Sequence, residues 1–158
     1  MSTIQPYPHR YHACASASRS SSRVTVSSAQ LPNLETAPPP EFGGPEGVWS
    51  PETLLCAALA DCFILTFRGV TRAARFDWNS LECHVEGTLE RVDRNSEFTR
   101  FVTKARLAVP GGTDLERARR LLEQAEHGCL LANSLKGERQ LQAEVCVEEQ
   151  PVLVDTAA

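Results

Sequence analysis

The sequence predicts an α+β fold: short strands, a long apolar helix, a hairpin, an amphipathic helix and a closing strand, in that order. Three observations carry the prediction. Residues 54–67 form a nearly unbroken apolar run opened by Ser50-Pro51-Glu52. Two stretches, from Leu81 to Leu89 and from Phe101 to Val109, alternate apolar and polar side chains as half-buried strands do. Beyond them, Ala118, Leu121, Leu122 and Ala125 recur at helical spacing, with arginines facing the other way.

Residues 1–8 read as a loose start, 9–150 as a single domain and 151–158 as a tail. Residues 9–28 are rich in Ser and Ala, with Val24 and Val26 in alternation, and predict one or two edge strands. Arg19 and Arg23 fall here, on one strand parity. The Pro- and Gly-rich residues 38–47 must form a loop. Ser50 then offers an N-cap oxygen, Pro51 sits where a missing N–H costs nothing, and Glu52 suits the positive end of the helix dipole. The helix should run to about Arg75. Leu55, Leu59, Cys62, Thr66 and Gly69 share one stripe, and the opposite side is apolar too, which predicts a helix surrounded by protein. Residues 91–97 supply the polar turn of an antiparallel hairpin, which Pro110-Gly111-Gly112 ends. Thr113, with Glu116 three residues on, has the form of a capping box, and Gly128 stops the helix it opens. A short helical turn from Cys129 and a strand through Leu141, Ala143, Val145 and Val147 follow.

At 158 residues the chain can bury a core, and its 42% hydrophobic and 23% charged content is that of a globular domain. A net charge of −4, with no basic stripe interleaved with aromatics, gives no reason to expect nucleic acid. The 14-residue apolar run contains Asp61 and is shorter than the roughly 20 residues of a bilayer span, so it reads as a core helix rather than a membrane segment. Residues 1–12 lack the pattern of a secretory signal. Six cysteines, at 14, 56, 62, 83, 129 and 146, include no CxxC pair, which predicts reduced thiols in a cytoplasm. Their spacings fit no zinc template, and no haem or flavin motif occurs, so neither metal nor cofactor is expected.

The chemistry then rests on thiols. Cys83 lies on the apolar parity of its strand and reads as a small core residue; Cys146 is on the polar parity, half-exposed. Cys14 gives no signal, and Cys56, six positions before Cys62, is turned off the same helical face. Cys62 is either inert packing or a nucleophile that needs a cation, because mid-helix burial and the adjacent Asp61 both raise a thiol's pKa. Cys129, at the start of a helical turn, is placed where free N–H groups favour a thiolate.

Glu41-Phe42-Gly43-Gly44, Ser50-Pro51-Glu52-Thr53-Leu54-Leu55, Ala60-Asp61-Cys62-Phe63 and Glu126-His127-Gly128-Cys129-Leu130-Leu131-Ala132-Asn133-Ser134, in that order, resemble the OsmC/Ohr family of osmotically inducible and organic hydroperoxide resistance proteins. The likeness runs over residues 9–147. It implies antiparallel sheets packed around a long buried central helix, an intertwined homodimer with its site at the subunit interface, and thiol peroxidase activity. It makes Cys62 the peroxidatic cysteine, Cys129 the resolving one, and Glu52 the glutamate that orients an arginine near the reactive sulfur. Arg19 is that arginine by its distance ahead of Glu52, with Arg23 the alternate. Two residues depart from the pattern: Leu130 stands where many members have Pro, and Asp61 where small residues are common.

The implied reaction reduces alkyl or fatty-acid hydroperoxides through a Cys62 sulfenic acid and a Cys62–Cys129 disulfide, which a small thiol or lipoyl-type dithiol reopens. Apolar walls from Leu55, Leu59 and Phe63 would favour alkyl groups, at roughly 0.8 kcal/mol per methylene. Glu52 and Cys62, ten positions apart, are separated by about 15 Å along a helix, so a shared site would take one of them from a second subunit. Two alternatives remain open at this point: a cysteine hydrolase using His127 or His84 as base, and a non-catalytic homodimer that binds a ligand.

Overall fold

The computed structural model describes residues 5–148. The predicted tail at 151–158 and the first four residues of the loose start lie outside them, and residues 5–8 form neither helix nor strand. The described residues gather into two compact units that divide at Leu54/Leu55, within the first turn of the long helix.

The first unit holds an antiparallel sheet of β1 (Cys14–Ser16), β2 (Val24–Ser27) and β3 (Leu34–Thr36), in that order. β1 and β2 fall in the predicted segment, but only β1 is an edge strand; β2 is paired on both sides and is central. β3 escaped the sequence reading, because three residues in a Pro-rich stretch give no alternation. Arg19 lies in the turn between β1 and β2 and Arg23 just before β2, so they do not share a strand parity as predicted. The expected loop holds one 3-10 turn, Pro40–Phe42. Gly44 is required there: its N–H donates to the Pro39 carbonyl at 3.0 Å, and a Cβ would fall 1.6 Å from the Pro38 carbonyl oxygen. Ser50 is buried and caps α1 (Pro51–Ala74) reciprocally. Its Oγ accepts from the Thr53 N–H at 3.2 Å, and its own N–H donates to Thr53 Oγ1 at 2.9 Å.

The second unit contains the rest of α1, β4 (Ser80–Val92), β5 (Asn95–Val109), α2 (Leu115–Gly128) and β6 (Glu138–Val147). The sheet order is β4-β5-β6, with β4 and β5 antiparallel but β5 and β6 parallel. This sheet is therefore mixed, where antiparallel sheets were expected: the chain leaves β5 through α2 before β6 returns, the crossover a parallel pair needs. The hairpin turn is only Asp93-Arg94, at φ 47° and 75°, the left-handed pair of a tight two-residue turn. Residues 91–97 look like a longer turn only because the exposed strand ends are polar. A bulge at Thr88/Leu89 breaks the predicted parity of Leu89. Asp114, not Thr113, caps α2, its carboxylate accepting from the Arg117 N–H at 3.0 Å, while Thr113 Oγ1 donates to the Pro110 carbonyl at 2.8 Å.

The core joins Phe63 and Phe67 of α1, Ala105, Leu107 and Val109 of β5, and the predicted Ala118, Leu121, Leu122 and Ala125 of α2. α1 buries a single stripe, Leu59, Phe63, Phe67 and Thr71, rather than being enclosed all round. Leu65 on another face is 55% exposed. At 24 residues the helix is long and apolar enough to cross a bilayer by length and composition alone, yet its buried stripe is tied into the core with α2 and the sheet.

Candidate functional site

Cys62, Thr66 and Gly69, predicted on the buried stripe, instead flank it and face an open cavity of about 630 Å³. Asp61, Leu65, Leu130 and Leu131 complete most of its wall. The walls expected from Leu55, Leu59 and Phe63 are absent: none of the three lines the cavity, and Leu59 and Phe63 are buried in the interior. Thr66 Oγ1 donates to the Cys62 carbonyl at 2.8 Å, which ties its hydroxyl to the helix and leaves its methyl outward.

That methyl is where α2 ends. A Cβ on Gly128 would lie 3.3 Å from Thr66 Cγ2, so the smallest side chain lets the last turn of α2 close on α1 one turn from Cys62. Cys129 follows as the C-cap in an extended conformation (φ −66°, ψ 111°) and is 3% exposed. Its N–H donates to the Glu126 carbonyl at 3.3 Å, and the chain turns into a 3-10 turn at Ala132–Ser134.

Cys129 thus stands between the end of α2 and a short turn that begins with it, its carbonyl accepting from the Asn133 N–H; the N–H groups expected to favour a thiolate are in place, but burial outweighs them. Burial pushes its pKa above the ordinary 9.0; N–H groups of Ala132 and Leu131 oppose this only in part, and Cys62 raises it further through a side-chain hydrogen bond and like-charge repulsion. The two remote thiols are neighbours, and Cys129 is held protonated. Cys83, half-buried on β4, is pushed to about 11 by burial and then by Cys129 nearby. It packs against the core, as its parity predicted. Cys146 is half-exposed, its thiol 3.5 Å from the Leu107 carbonyl.

Glu52 sits in the first turn of α1 with Oε2 buried and no hydrogen-bond partner among the described residues. An orphaned carboxylate oxygen of this kind calls for a cation. Arg19 and Arg23 are both exposed. The histidines are engaged elsewhere: His127 Nδ1 is 2.9 Å from the Glu123 carbonyl, and His84 pairs with Glu82 at 3.2 Å on the exposed parity of β4. Among the described residues neither of these two rings is bonded to a thiol. Among the described residues no three His, Cys, Asp or Glu side chains gather as metal ligands.

One residue escaped the sequence reading. Arg139, on β6, has no role predicted from the sequence. In the structure its Nε donates to Glu126 Oε1 at 2.7 Å, Nη2 to the Glu126 carbonyl at 2.6 Å and Nη1 to Asn133 Oδ1 at 2.7 Å. Only the parity of β6, which turns Arg139 to the same side as Leu141, could have signalled it.

Residues 44–144 match the family model for OsmC-like protein. The chain is 31% identical over 97 residues to Peroxiredoxin OsmC of Escherichia coli, a match covering 61% of this chain and 66%, just under two thirds, of that protein. It is 22% identical over 143 residues to the uncharacterized protein YmaD of Bacillus subtilis, covering 87% of this chain and 95% of the other. Among solved structures, an OsmC-like protein of unknown function from Vibrio cholerae superimposes with a TM-score of 0.79 at 18% identity, over 87% of this chain and all (100%) of that one. An organic hydroperoxide resistance protein OsmC from Legionella pneumophila gives 0.70 at 24%, over 90% and 100%.

Proposed function

This chain belongs to the OsmC-like protein family, and we propose that it is a cysteine-based peroxidase that reduces organic hydroperoxides to alcohols. The observation that carries the reading is that Cys62, which lines an apolar cavity, interacts with the buried Cys129, 67 positions away in sequence. The E. coli relative's name, a peroxiredoxin, supports the same chemistry.

In the proposed reaction the Cys62 thiolate attacks the terminal peroxide oxygen. The O–O bond breaks, the alkoxide leaves and takes up a proton, and Cys62 becomes a sulfenic acid. The Cys129 sulfur then displaces the sulfenic hydroxyl; its proton leaves with that hydroxyl as water, and a Cys62–Cys129 disulfide remains. A protonated Cys129 suits a thiol that acts second, since it does not compete for peroxide. An external dithiol, a small thiol or a lipoyl-type protein, returns both sulfurs to thiols, and a reducing cytoplasm suits that cycle. Leu65, Leu130 and Leu131 would hold the alkyl group, which favours organic over hydrogen peroxide.

The thiolate needs a cation, and we assign it to Arg19, with Arg23 the alternate, oriented by Glu52. The unpartnered Glu52 oxygen supports a guanidinium arriving from outside the single chain. So does the exposed apolar face of α1, with Leu65 uncovered, which fits a second copy of the chain. The test is alcohol production from cumene hydroperoxide with a dithiol reductant. Stoichiometric alcohol is expected from the native protein and none from Cys62→Ser; turnover retained in that variant would end the peroxidatic assignment. A ligand-binding protein without turnover would show no alcohol from either.

A further inference from the structure

The segment that carries Cys129 is held from outside by one guanidinium. Arg139 reaches from β6 and grips Glu126, three residues before Cys129, through both the carboxylate and the backbone carbonyl. The same side chain holds Asn133, four residues after Cys129, at 2.7 Å. The far side is closed by the segment itself: Asn133 Nδ2 donates to the His127 carbonyl at 3.0 Å, and the Asn133 N–H to the Cys129 carbonyl at 3.0 Å. The Arg139 and Glu126 side chains are 25% and 16% exposed, so removing one partner leaves the other's charge partly desolvated and unpaired. Cys129 lies outside regular helix, at an extended C-cap, and its sulfur is placed by the turn that follows it, whose Ala132 and Leu131 N–H groups reach the thiol. The fork of Arg139 spans the segment at two points, which a lysine, with a single nitrogen, could not do.

We infer that Arg139 is the positioning residue of the resolving step: by clamping Glu126 and Asn133 on either side of Cys129 it sets that sulfur against Cys62 for disulfide closure. The inference rests on the thiol-peroxidase reading for its biological sense, but the geometry it claims concerns disulfide formation itself. In that step the Cys129 sulfur bonds to the Cys62 sulfur, and the sulfenic hydroxyl and the thiol proton leave as water. Peroxide attack by Cys62 does not pass through the clamp. Loosening the clamp should therefore slow closure and leave the first step alone, a split that a general loss of stability would not produce.

The experiment compares native protein with Arg139→Gln, Arg139→Lys and Asn133→Ala, each confirmed folded by circular dichroism. After one equivalent of cumene hydroperoxide, the first equivalent of alcohol should form at the native rate in all of them. Closure of the Cys62–Cys129 disulfide should slow about tenfold in both Arg139 variants and by a few-fold in Asn133→Ala, as misplacement of one reactant predicts. Cys62 sulfenic acid trapped by dimedone, and sulfinic acid after excess peroxide, should rise in the same order. A second arm uses diamide, which takes up the two thiol hydrogens and needs no peroxide chemistry; the same slowing is expected. If native protein makes no alcohol but closes the disulfide with diamide more slowly in the variants, the peroxidase reading fails and the clamp survives. Closure in Arg139→Gln within about twofold of native under diamide, or no Cys62–Cys129 disulfide in native protein, overturns the clamp.

Discussion

At the scale of single residues, the thiols show how one side chain takes different characters from its surroundings. Cys83 and Cys129 both lie against apolar neighbours, and burial is the first cause of the raised pKa of each. The consequence for stability has a definite sign. Cys83 keeps its proton in the folded chain to about 11, against 9.0 unfolded, so between those values the folded state binds more protons than the unfolded one. Stability from this group is complete below pH 9.0 and is lost as the pH climbs toward 11. Replacing Cys83 by Ala should flatten the fall in melting temperature across that window. Cys129 and Cys56, also raised, leave a residual slope. Equal slopes for native and Cys83→Ala protein would show that Cys83 is not held neutral by the fold.

At the scale of elements, caps and close approaches place the site. The cap of α2 tests this simply. Asp114→Ala removes the acceptor for the Arg117 N–H and should destabilise the protein by about 1 kcal/mol in urea unfolding. Thr113→Ala, which removes only a turn bond to Pro110, should cost less; the reverse order would restore Thr113 as the cap. The sequence points to the right elements here and misplaces one boundary, because Thr113 and Asp114 are both good capping residues and only the backbone decides between them. The same pattern recurs. Ser50-Pro51-Glu52 marks the start of α1 correctly, since capping is local chemistry. Periodicity puts the buried stripe of α1 on the wrong side because the helix is apolar on several faces, and spacing alone does not say which face meets the core and which the cavity. The pairing of Cys62 with Cys129 was legible only through family likeness, because the contact depends on Gly128 closing against Thr66, a long-range approach that no local pattern encodes. Arg139 is hidden for the same reason: its partners lie in two other elements, Glu126 in α2 and Asn133 in the 3-10 turn, 13 and 6 residues away.

At the scale of the whole molecule, the proposal requires two chains. Glu52 and Cys62 stand ten residues apart on one continuous helix, about 15 Å by its rise, so no local bending brings them together. A buried carboxylate oxygen without a partner is costly in a lone chain, and an apolar helix face left uncovered is costly as well. A second copy would relieve both at once if Glu52 of one subunit oriented the arginine beside Cys62 of the other. Mixed dimers test this directly. Cys62→Ser chains and Glu52→Ala chains should each be inactive alone. Refolded together, a hybrid dimer would hold one complete site, with Glu52 from the first chain and Cys62 from the second. Random pairing of equal amounts makes half the dimers hybrid, each with one of two sites intact, so about a quarter of native activity should return. If both residues act within one chain, the mixture stays inactive, because neither chain carries the pair. Recovery of activity on mixing, together with a dimer mass in sedimentation, would bear out a site divided between subunits; a silent mixture of well-folded hybrid dimers would confine the chemistry to the single chain.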